Sequence, residues 1–104
     1  MIKYPFKNKS PQIAESTYVA DNAVVTGDVV IGEECSIWYG TVIRGDVAPT
    51  IIGDRVNIQD QSMLHQSPNN TLLLEDDVTV GHQCLLHSCI IRKNALIGMG
   101  SIIL

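Results

Sequence analysis

Three histidines are the residues of this 104-residue chain best suited to chemistry, because imidazole is the commonest metal ligand in proteins. His82 and His87 lie five residues apart in one segment, and the third histidine is His65. Three imidazoles around one metal ion that keeps an open coordination position form a common catalytic zinc site. Whether the three side chains meet depends on the elements that carry them.

Those elements follow from a six-residue repeat of aliphatic residues. Six is the period of neither an α-helix nor an alternating strand, but of a solenoid built from hexapeptides. Three hexapeptides form one triangular coil, so each coil advances the chain by one inter-strand spacing of about 4.8 Å. The aliphatic positions, predicted to point inward, are Ile13, Val19, Val25, Ile31, Ile37, Ile43, Ile52, Ile58, Leu64, Leu74, Val80, Leu86, Ile91, Ile97 and Ile103.

The fifth position of each hexapeptide is predicted to fill an inner corner of the coil. Its residues are mostly small or β-branched: Thr17, Ala23, Val29, Cys35, Thr41, Val47, Val56, Ser62, Val78, Cys84, Ile90, Ala95 and Ser101. The frame is interrupted by three extra residues at 49–51 and by a longer stretch between Leu64 and Leu74. Both are predicted to be loops that leave a corner.

Composition argues against several classes of protein. The net charge is −4 and 17% of the residues are charged, which disfavours nucleic acid as a partner. No apolar run approaches the roughly 18 residues of a membrane-spanning helix. An odd number of cysteines without a CxxC pair favours reduced thiols and a cytoplasmic location. Residues 1–12 are predicted to cover the first coil, and residues 13–104 to form one β-helix domain.

The coil count brings two of the histidines together. Leu64 and Leu86 are three hexapeptides apart, so they lie on the same face in adjacent coils. His65 and His87 each follow one of these inward residues and are therefore predicted to lie side by side on the outside of that face. Arg44 joins the same column one coil earlier.

His82 is predicted to lie near a corner of the preceding face. Asp60 has the equivalent position one coil earlier, and His82 does not reach the other two histidines within its own chain. If prisms pack around a three-fold axis, His82 of one subunit can approach His65 and His87 of the next. An exposed histidine on a solenoid is otherwise an ordinary surface residue.

Several motifs together resemble the gamma-class carbonic anhydrase family from about residue 10 to residue 104. They are Ser36-Ile37-Trp38-Tyr39, Val42-Ile43-Arg44-Gly45-Asp46, Gly53-Asp54-Arg55-Val56-Asn57-Ile58-Gln59-Asp60, Leu64-His65, Val80-Gly81-His82 with His87, and Ile97-Gly98-Met99-Gly100. The resemblance implies an all-β fold, a left-handed parallel β-helix of about five coils. It also implies a homotrimer with a metal ion at each subunit interface.

The resemblance assigns roles to individual residues. It implies that His65 and His87 bind the metal from one subunit and that His82 binds it from the neighbour. The metal expected from three imidazoles is Zn²⁺, with Fe²⁺ or Co²⁺ as alternatives. In the implied reaction, metal-bound hydroxide attacks carbon dioxide to give bicarbonate. Gln59 would orient these reactants, and Asp60 would belong to the same hydrogen-bond network.

Arg44 and Asp46 match a pair that forms salt bridges between subunits in the family. Two departures concern proton transfer. Val47 stands where the best-studied pattern has a glutamate, and the loop at residues 66–70 lacks a carboxylate. Slow turnover is therefore expected. Family members also continue for further coils and end in a helix, whereas this sequence ends at Leu104. The resemblance accordingly implies a C-terminally truncated β-helix without that helix.

Two alternatives use the same scaffold. One is a metal-binding or assembly protein without hydratase activity. The other is a hexapeptide acyltransferase, which uses one catalytic histidine near a cofactor groove between subunits and has no need of the other two.

Overall fold

A computed structural model describes residues 1–104 as a parallel β-helix without an α-helix. No helix long and apolar enough to cross a membrane is present. The strands are β1 (Ile2–Tyr4), β2 (Gln12–Ile13), β3 (Tyr18–Val19), β4 (Val24–Ile31), β5 (Ser36–Ile37), β6 (Val42–Ile52), β7 (Asn57–Ile58), β8 (Met63–His65), β9 (Leu72–Leu74), β10 (Thr79–Val80), β11 (Leu85–His87), β12 (Ile90–Ile91), β13 (Leu96–Ile97) and β14 (Ile102–Ile103).

The strands stack in parallel on three faces. The histidine face contains β1, residues 24–27 of β4, residues 42–45 of β6, β8, β11 and β14. The second face contains β2, the ends of β4 and β6, β9 and β12. The third face contains β3, β5, β7, β10 and β13. Five strands on the third face correspond to about five coils, which confirms the predicted β-helix.

The core is the column of aliphatic side chains inside the prism. Ile43, Leu64 and Leu86 are fully buried and pair in register from one coil to the next. Ala23, Thr41 and other short side chains fill the inner corners, also without exposure. Burying one such aliphatic side chain stabilises the fold by about 1.5–3 kcal/mol. The repeat therefore supplies both the shape of the coil and most of its stability.

Two fifth-position predictions are wrong. Val47 is 43% exposed and Ile90 is 53% exposed. Thr50 takes the inner position instead of Val47, because it is the register partner of the buried Val29. Ile90 pairs with Leu73, so Cys89 aligns with the buried Leu72 and takes the inner position instead of Ile90. The extra residues are accommodated before position 50, where the register shifts between β4 and β6.

The predicted loop at 49–51 is consequently wrong as well. These residues continue β6 around a corner, and Thr50 is completely buried. The longer insertion is confirmed as a loop, since residues 66–71 connect β8 to β9.

The N-terminal residues add a strand to the histidine face. Ile2 pairs with Val24 and Tyr4 pairs with Thr26, in parallel. A turn at Phe6–Lys9, closed by backbone hydrogen bonds in both directions, then leads to β2 on the second face.

Candidate functional site

His65 and His87 lie next to each other on the histidine face. They are register partners on β8 and β11, and their ring centroids are 5.5 Å apart in an edge-on arrangement. The register of Ile43 with Leu64 places Arg44 beside His65 one coil earlier. The predicted column of Arg44, His65 and His87 is therefore confirmed. It exists because each residue follows a fully buried aliphatic residue at the same point of its coil.

Asp46 connects Arg44 to His65. Its Oδ2 accepts hydrogen bonds from Nε and Nη2 of Arg44 at 2.9 and 2.8 Å, and its Oδ1 lies 2.9 Å from Nε2 of His65. Partial burial acts to raise the pKa of Asp46, but the bonds from Arg44 and His65 outweigh it and hold that pKa below its ordinary value. Arg44 and Asp46 pair within one chain here, and their role at a subunit interface stays a prediction.

Gln66 continues this network into the core. Its side chain is 1% exposed, and its amide nitrogen donates to the Arg44 carbonyl and to the Thr50 hydroxyl. Its amide oxygen accepts from the Ala48 backbone N–H at 3.3 Å. Every hydrogen-bonding atom of this buried amide is close to a partner from the segment that carries Asp46, so the burial leaves no polar group unpaired.

The loop after Gln66 is held from the neighbouring coil by Ser88. The Ser67 backbone N–H donates to the Ser88 hydroxyl at 2.7 Å, and that hydroxyl donates to the Asn70 carbonyl at 2.9 Å. The Ser88 backbone N–H also donates to the His65 carbonyl at 3.1 Å. Ser88, directly after His87, therefore holds both the loop at residues 67–70 and the end of the strand that carries His65.

His82 occupies the corner between the third face and the histidine face. Its Nδ1 lies 3.2 Å from Oδ1 of Asp60, which is the residue one coil earlier in the same corner column. A shallow groove of about 400 Å³ adjoins the pair and is lined by Trp38, Tyr39, Asn57, Gln59, Asp60 and His82. The structure thus places Asp60 next to His82, as their register predicts, and Gln59 lines the same groove.

Asn57 is held in one orientation beside this groove. The Trp38 indole Nε1–H donates to its Oδ1 at 2.9 Å, and the Ser36 hydroxyl lies 3.2 Å from the same oxygen. Because a carbonyl oxygen only accepts, the contact with Trp38 fixes which end of the amide is the oxygen. The amide nitrogen of Asn57 is left without a partner in the chain and can donate to a ligand.

The two clusters do not merge into one metal site. No group of three or more His, Cys, Asp or Glu side chains in the chain is arranged to hold a metal ion. The imidazoles of His65, His82 and His87 nevertheless fit a metal site shared between two subunits. His65 and His82 each direct one ring nitrogen at a carboxylate and leave the other free, an arrangement common among metal-binding histidines. One chain therefore carries two separate groups of potential metal ligands, His65 with His87 and His82.

Comparisons with known proteins agree with this architecture. The family of bacterial transferase hexapeptide repeats (six repeats) matches residues 10–45. A crystal structure of a hexapeptide transferase family protein from Anaplasma phagocytophilum is 31% identical, with a TM-score of 0.83 over 97% of this chain and 74% of that one. This chain belongs to the hexapeptide-repeat family.

Relatives named carbonic anhydrase are also similar to the chain. The Geobacillus kaustophilus "Carbonic anhydrase" is 74% identical over 97% of this chain and 56% of its own length. "Gamma carbonic anhydrase 2, mitochondrial" of Arabidopsis thaliana is 42% identical over 93% of this chain and 37% of its own length. These relatives confirm the resemblance to the gamma class that the motifs indicate.

Not every relative carries that name. A crystal structure of a Bacillus cereus protein, provisionally described as an acetyltransferase, is 68% identical, with a TM-score of 0.96 over 97% of this chain and 59% of that one. The chain spans just over half of the Geobacillus relative and of this Bacillus cereus protein. The names of its relatives therefore divide between two chemistries that share one scaffold.

The sequence motifs assign no individual role to Gln66, Asn57 or Trp38. A signal for Gln66 is present in the sequence. It stands two residues after the inward Leu64, so strand alternation points it inward as well. Trp38 and Asn57 carry no such signal, because their hydrogen bond joins residues 19 apart across a coil boundary.

Proposed function

We propose that this chain forms the metal-binding part of a gamma-type carbonic anhydrase, a lyase that hydrates carbon dioxide reversibly to bicarbonate. The observation that carries the proposal is the pairing of His65 with His87 at 5.5 Å on a face whose neighbouring corner presents His82. Relatives named carbonic anhydrase, at up to 74% identity, support the same reaction.

The proposed assembly is a homotrimer. His65 and His87 of one subunit and His82 of the next would hold the metal, because one chain keeps these groups apart. Three imidazoles suit zinc, and Fe²⁺ or Co²⁺ also bind such donors. Asp60 orients the His82 ring through its Nδ1, which leaves Nε2 of His82 free for the metal.

A bound zinc ion would supply a Lewis acid that makes water nucleophilic near neutral pH. The residues of the chain have the remaining tasks. Gln59 lines the groove beside Asp60 and His82, where its amide can hydrogen-bond a substrate oxygen. Arg44 and Asp46 fix the His65 ring and, in the trimer, would also form the ion pairs between subunits.

Proton release is the slow step that we expect. Val47 is exposed but carries no acid, and the loop that follows His65 has Gln66, Ser67, Pro68, Asn69 and Asn70 in place of a carboxylate. Efficient acid–base catalysis needs a positioned group that titrates near the working pH. We therefore propose turnover well below that of an enzyme with a dedicated shuttle.

Native mass spectrometry followed by stopped-flow carbon dioxide hydration tests the proposal. A trimer with about one zinc per subunit and measurable hydration is expected. His87→Ala should abolish both metal and activity, whereas the exposed Lys93→Ala should change neither. A zinc-loaded trimer without hydration would instead indicate a metal-binding assembly scaffold. Full zinc occupancy in His87→Ala would contradict the site.

Acyl transfer is a second candidate, and one observation favours it. Nδ1 of His82 lies 3.2 Å from Oδ1 of Asp60 at the edge of a groove, which is how a general base and the acid that orients it are placed. Saturable binding of coenzyme A, lost in His82→Ala but retained in His87→Ala, would support this reading. A lack of binding at millimolar coenzyme A would contradict it.

We also propose a cytoplasmic location. The three cysteines Cys35, Cys84 and Cys89 are free thiols, which fits a reducing compartment. Fractionation of cells that express the tagged protein tests this.

A further inference from the structure

Gln66 is a buried polar side chain in a core that is otherwise nearly all aliphatic. Burying an amide costs free energy unless its hydrogen bonds are made, and here they are made with a single segment of β6. The amide nitrogen donates to the carbonyl of Arg44, and the amide oxygen accepts from the N–H of Ala48. These two partners stand two residues before and two residues after Asp46. The Gln66 side chain therefore clamps the backbone on both sides of that carboxylate.

The segment held by Gln66, residues 44–48, is also the part of β6 where regular pairing with β4 breaks down. The register between β4 and β6 shifts between Gly27 and Val29, opposite this segment, so regular strand pairing is interrupted there. Val47, next to Asp46, is turned outward. A third contact, from the Gln66 amide to the Thr50 hydroxyl, holds the point where regular pairing resumes.

We propose that Gln66 is a positioning residue that holds Asp46 against His65. The carboxylate then directs the His65 ring, whose Nε2 faces Asp46 at 2.9 Å and whose Nδ1 is left free. Gln66 touches neither a metal nor a substrate, and it acts through Asp46. Its importance for metal binding rests on the function proposed above, whereas the clamp itself is a property of the metal-free chain.

The test is ¹⁵N NMR of the imidazoles in metal-free protein at pH 8.5, where ordinary histidines are neutral. Only three histidines have to be assigned. The wild type should show His65 protonated at Nε2, with slow exchange of that proton because it is hydrogen-bonded to Asp46. Gln66→Met, which keeps the volume and removes the polar atoms, should lose the slow exchange at His65. The His82 signals should stay unchanged.

Matched controls separate this effect from general damage. Gln61→Met makes the same change at an exposed glutamine and should leave the His65 signals as in the wild type. Thr50→Val removes one partner of Gln66 at nearly constant shape and should weaken the protection of the His65 proton; it decides the matter if Gln66→Met does not fold. Unchanged His65 signals in both Thr50→Val and a folded Gln66→Met would overturn the proposal, as would the absence of a protected Nε2 proton in the wild type.

Zinc titration then links the clamp to the proposed metal site. Gln66→Met should weaken zinc binding by about 10-fold, as expected for loss of support behind a ligand, and Gln61→Met should not. If the wild type shows the protected proton but binds no zinc, the clamp stands and the proposed function fails. If zinc binds equally to the wild type and to Gln66→Met, the clamp has no role in metal binding and that part of the proposal is wrong.

Discussion

His65 and His82 both face a carboxylate, but only the carboxylate beside His65, that of Asp46, is held by further side chains of the chain. The side chains of His65 and Asp46 are 19% and 17% exposed, while those of His82 and Asp60 are 50% and 39% exposed. Asp46 is held by Arg44, and its segment is clamped from the core by Gln66. Asp60 has no second side-chain partner.

The difference follows from where each pair sits in the coil. Asp46 lies on a segment inserted into the stack, whose backbone has to be held by side chains because regular pairing is interrupted. Asp60 and His82 lie in a regular corner column, where backbone hydrogen bonds from coil to coil already fix the chain. An open, polar corner next to a groove is the kind of surface that a neighbouring subunit can complete.

We expect the greatest change, a complete loss of zinc binding, when either His82 or His87 is removed. His82→Ala and His87→Ala should each bind no zinc alone. If one chain supplies His65 and His87 and its neighbour supplies His82, co-refolding the two variants in equal amounts should restore about a quarter of the sites in a trimer. Metal analysis of the mixed assembly measures this. Zinc retained by His82→Ala alone, or none in the mixture, would refute a shared site.

Asp60→Asn tests the exposed pair of Asp60 and His82 by itself. We expect zinc affinity to fall by about 10–100-fold, because His82 loses the carboxylate that orients it. The free energy of unfolding should change by less than about 0.5 kcal/mol, since both side chains are exposed. Zinc titration and urea unfolding measure the two quantities. Asp21→Asn, on an exposed acid without a side-chain hydrogen bond, is the matched control, and equal effects of the two variants would contradict the assignment of Asp60.

Asp46→Asn tests the group of Arg44, Asp46 and His65, where we expect a loss of stability even without metal. Asparagine is uncharged and keeps only one of the two acceptor oxygens, so the weaker bonding to Arg44 and His65 should lower the free energy of unfolding by about 1–2 kcal/mol at neutral pH. The pKa of Asp46 is lowered in the folded protein, so its contribution is fully present above its unfolded pKa and is lost as the pH falls through the folded one. The difference between wild type and variant should therefore shrink below about pH 4. A difference that is independent of pH down to pH 2 would contradict this origin.

The smallest effect is expected from Trp38→Phe, which keeps an aromatic ring next to Tyr18 but removes the indole N–H. Stability should fall by about 0.5–1 kcal/mol because Asn57 loses a hydrogen bond. Urea unfolding measures this loss. Tyr39→Phe serves as the control, since its hydroxyl makes only a long contact of 3.5 Å with Tyr18, and a larger loss there than in Trp38→Phe would contradict the role of the indole.

Much of the fold was predictable because one rule repeats along the chain. An aliphatic residue every six positions sets the inward column, and counting three hexapeptides per coil gives the pairing of His65 with His87 and of Asp60 with His82. The count failed for Val47 and Ile90. Where residues are added or removed, spacing alone does not show at which point of the coil the change is absorbed.

The β-helix, the register of its regular coils and the residues that share a face all follow from the amino-acid pattern alone. The path of the irregular segment at 46–49, its hydrogen bonds to the buried Gln66 and the orientation of Asn57 set by Trp38 are visible only in the folded chain. The physical reason is the range of the interactions. Hydrophobic periodicity is local and repeats, so it can be read along the chain. Hydrogen bonds of buried side chains depend on residues 16 to 22 positions away, whose approach is fixed only when the coils have stacked.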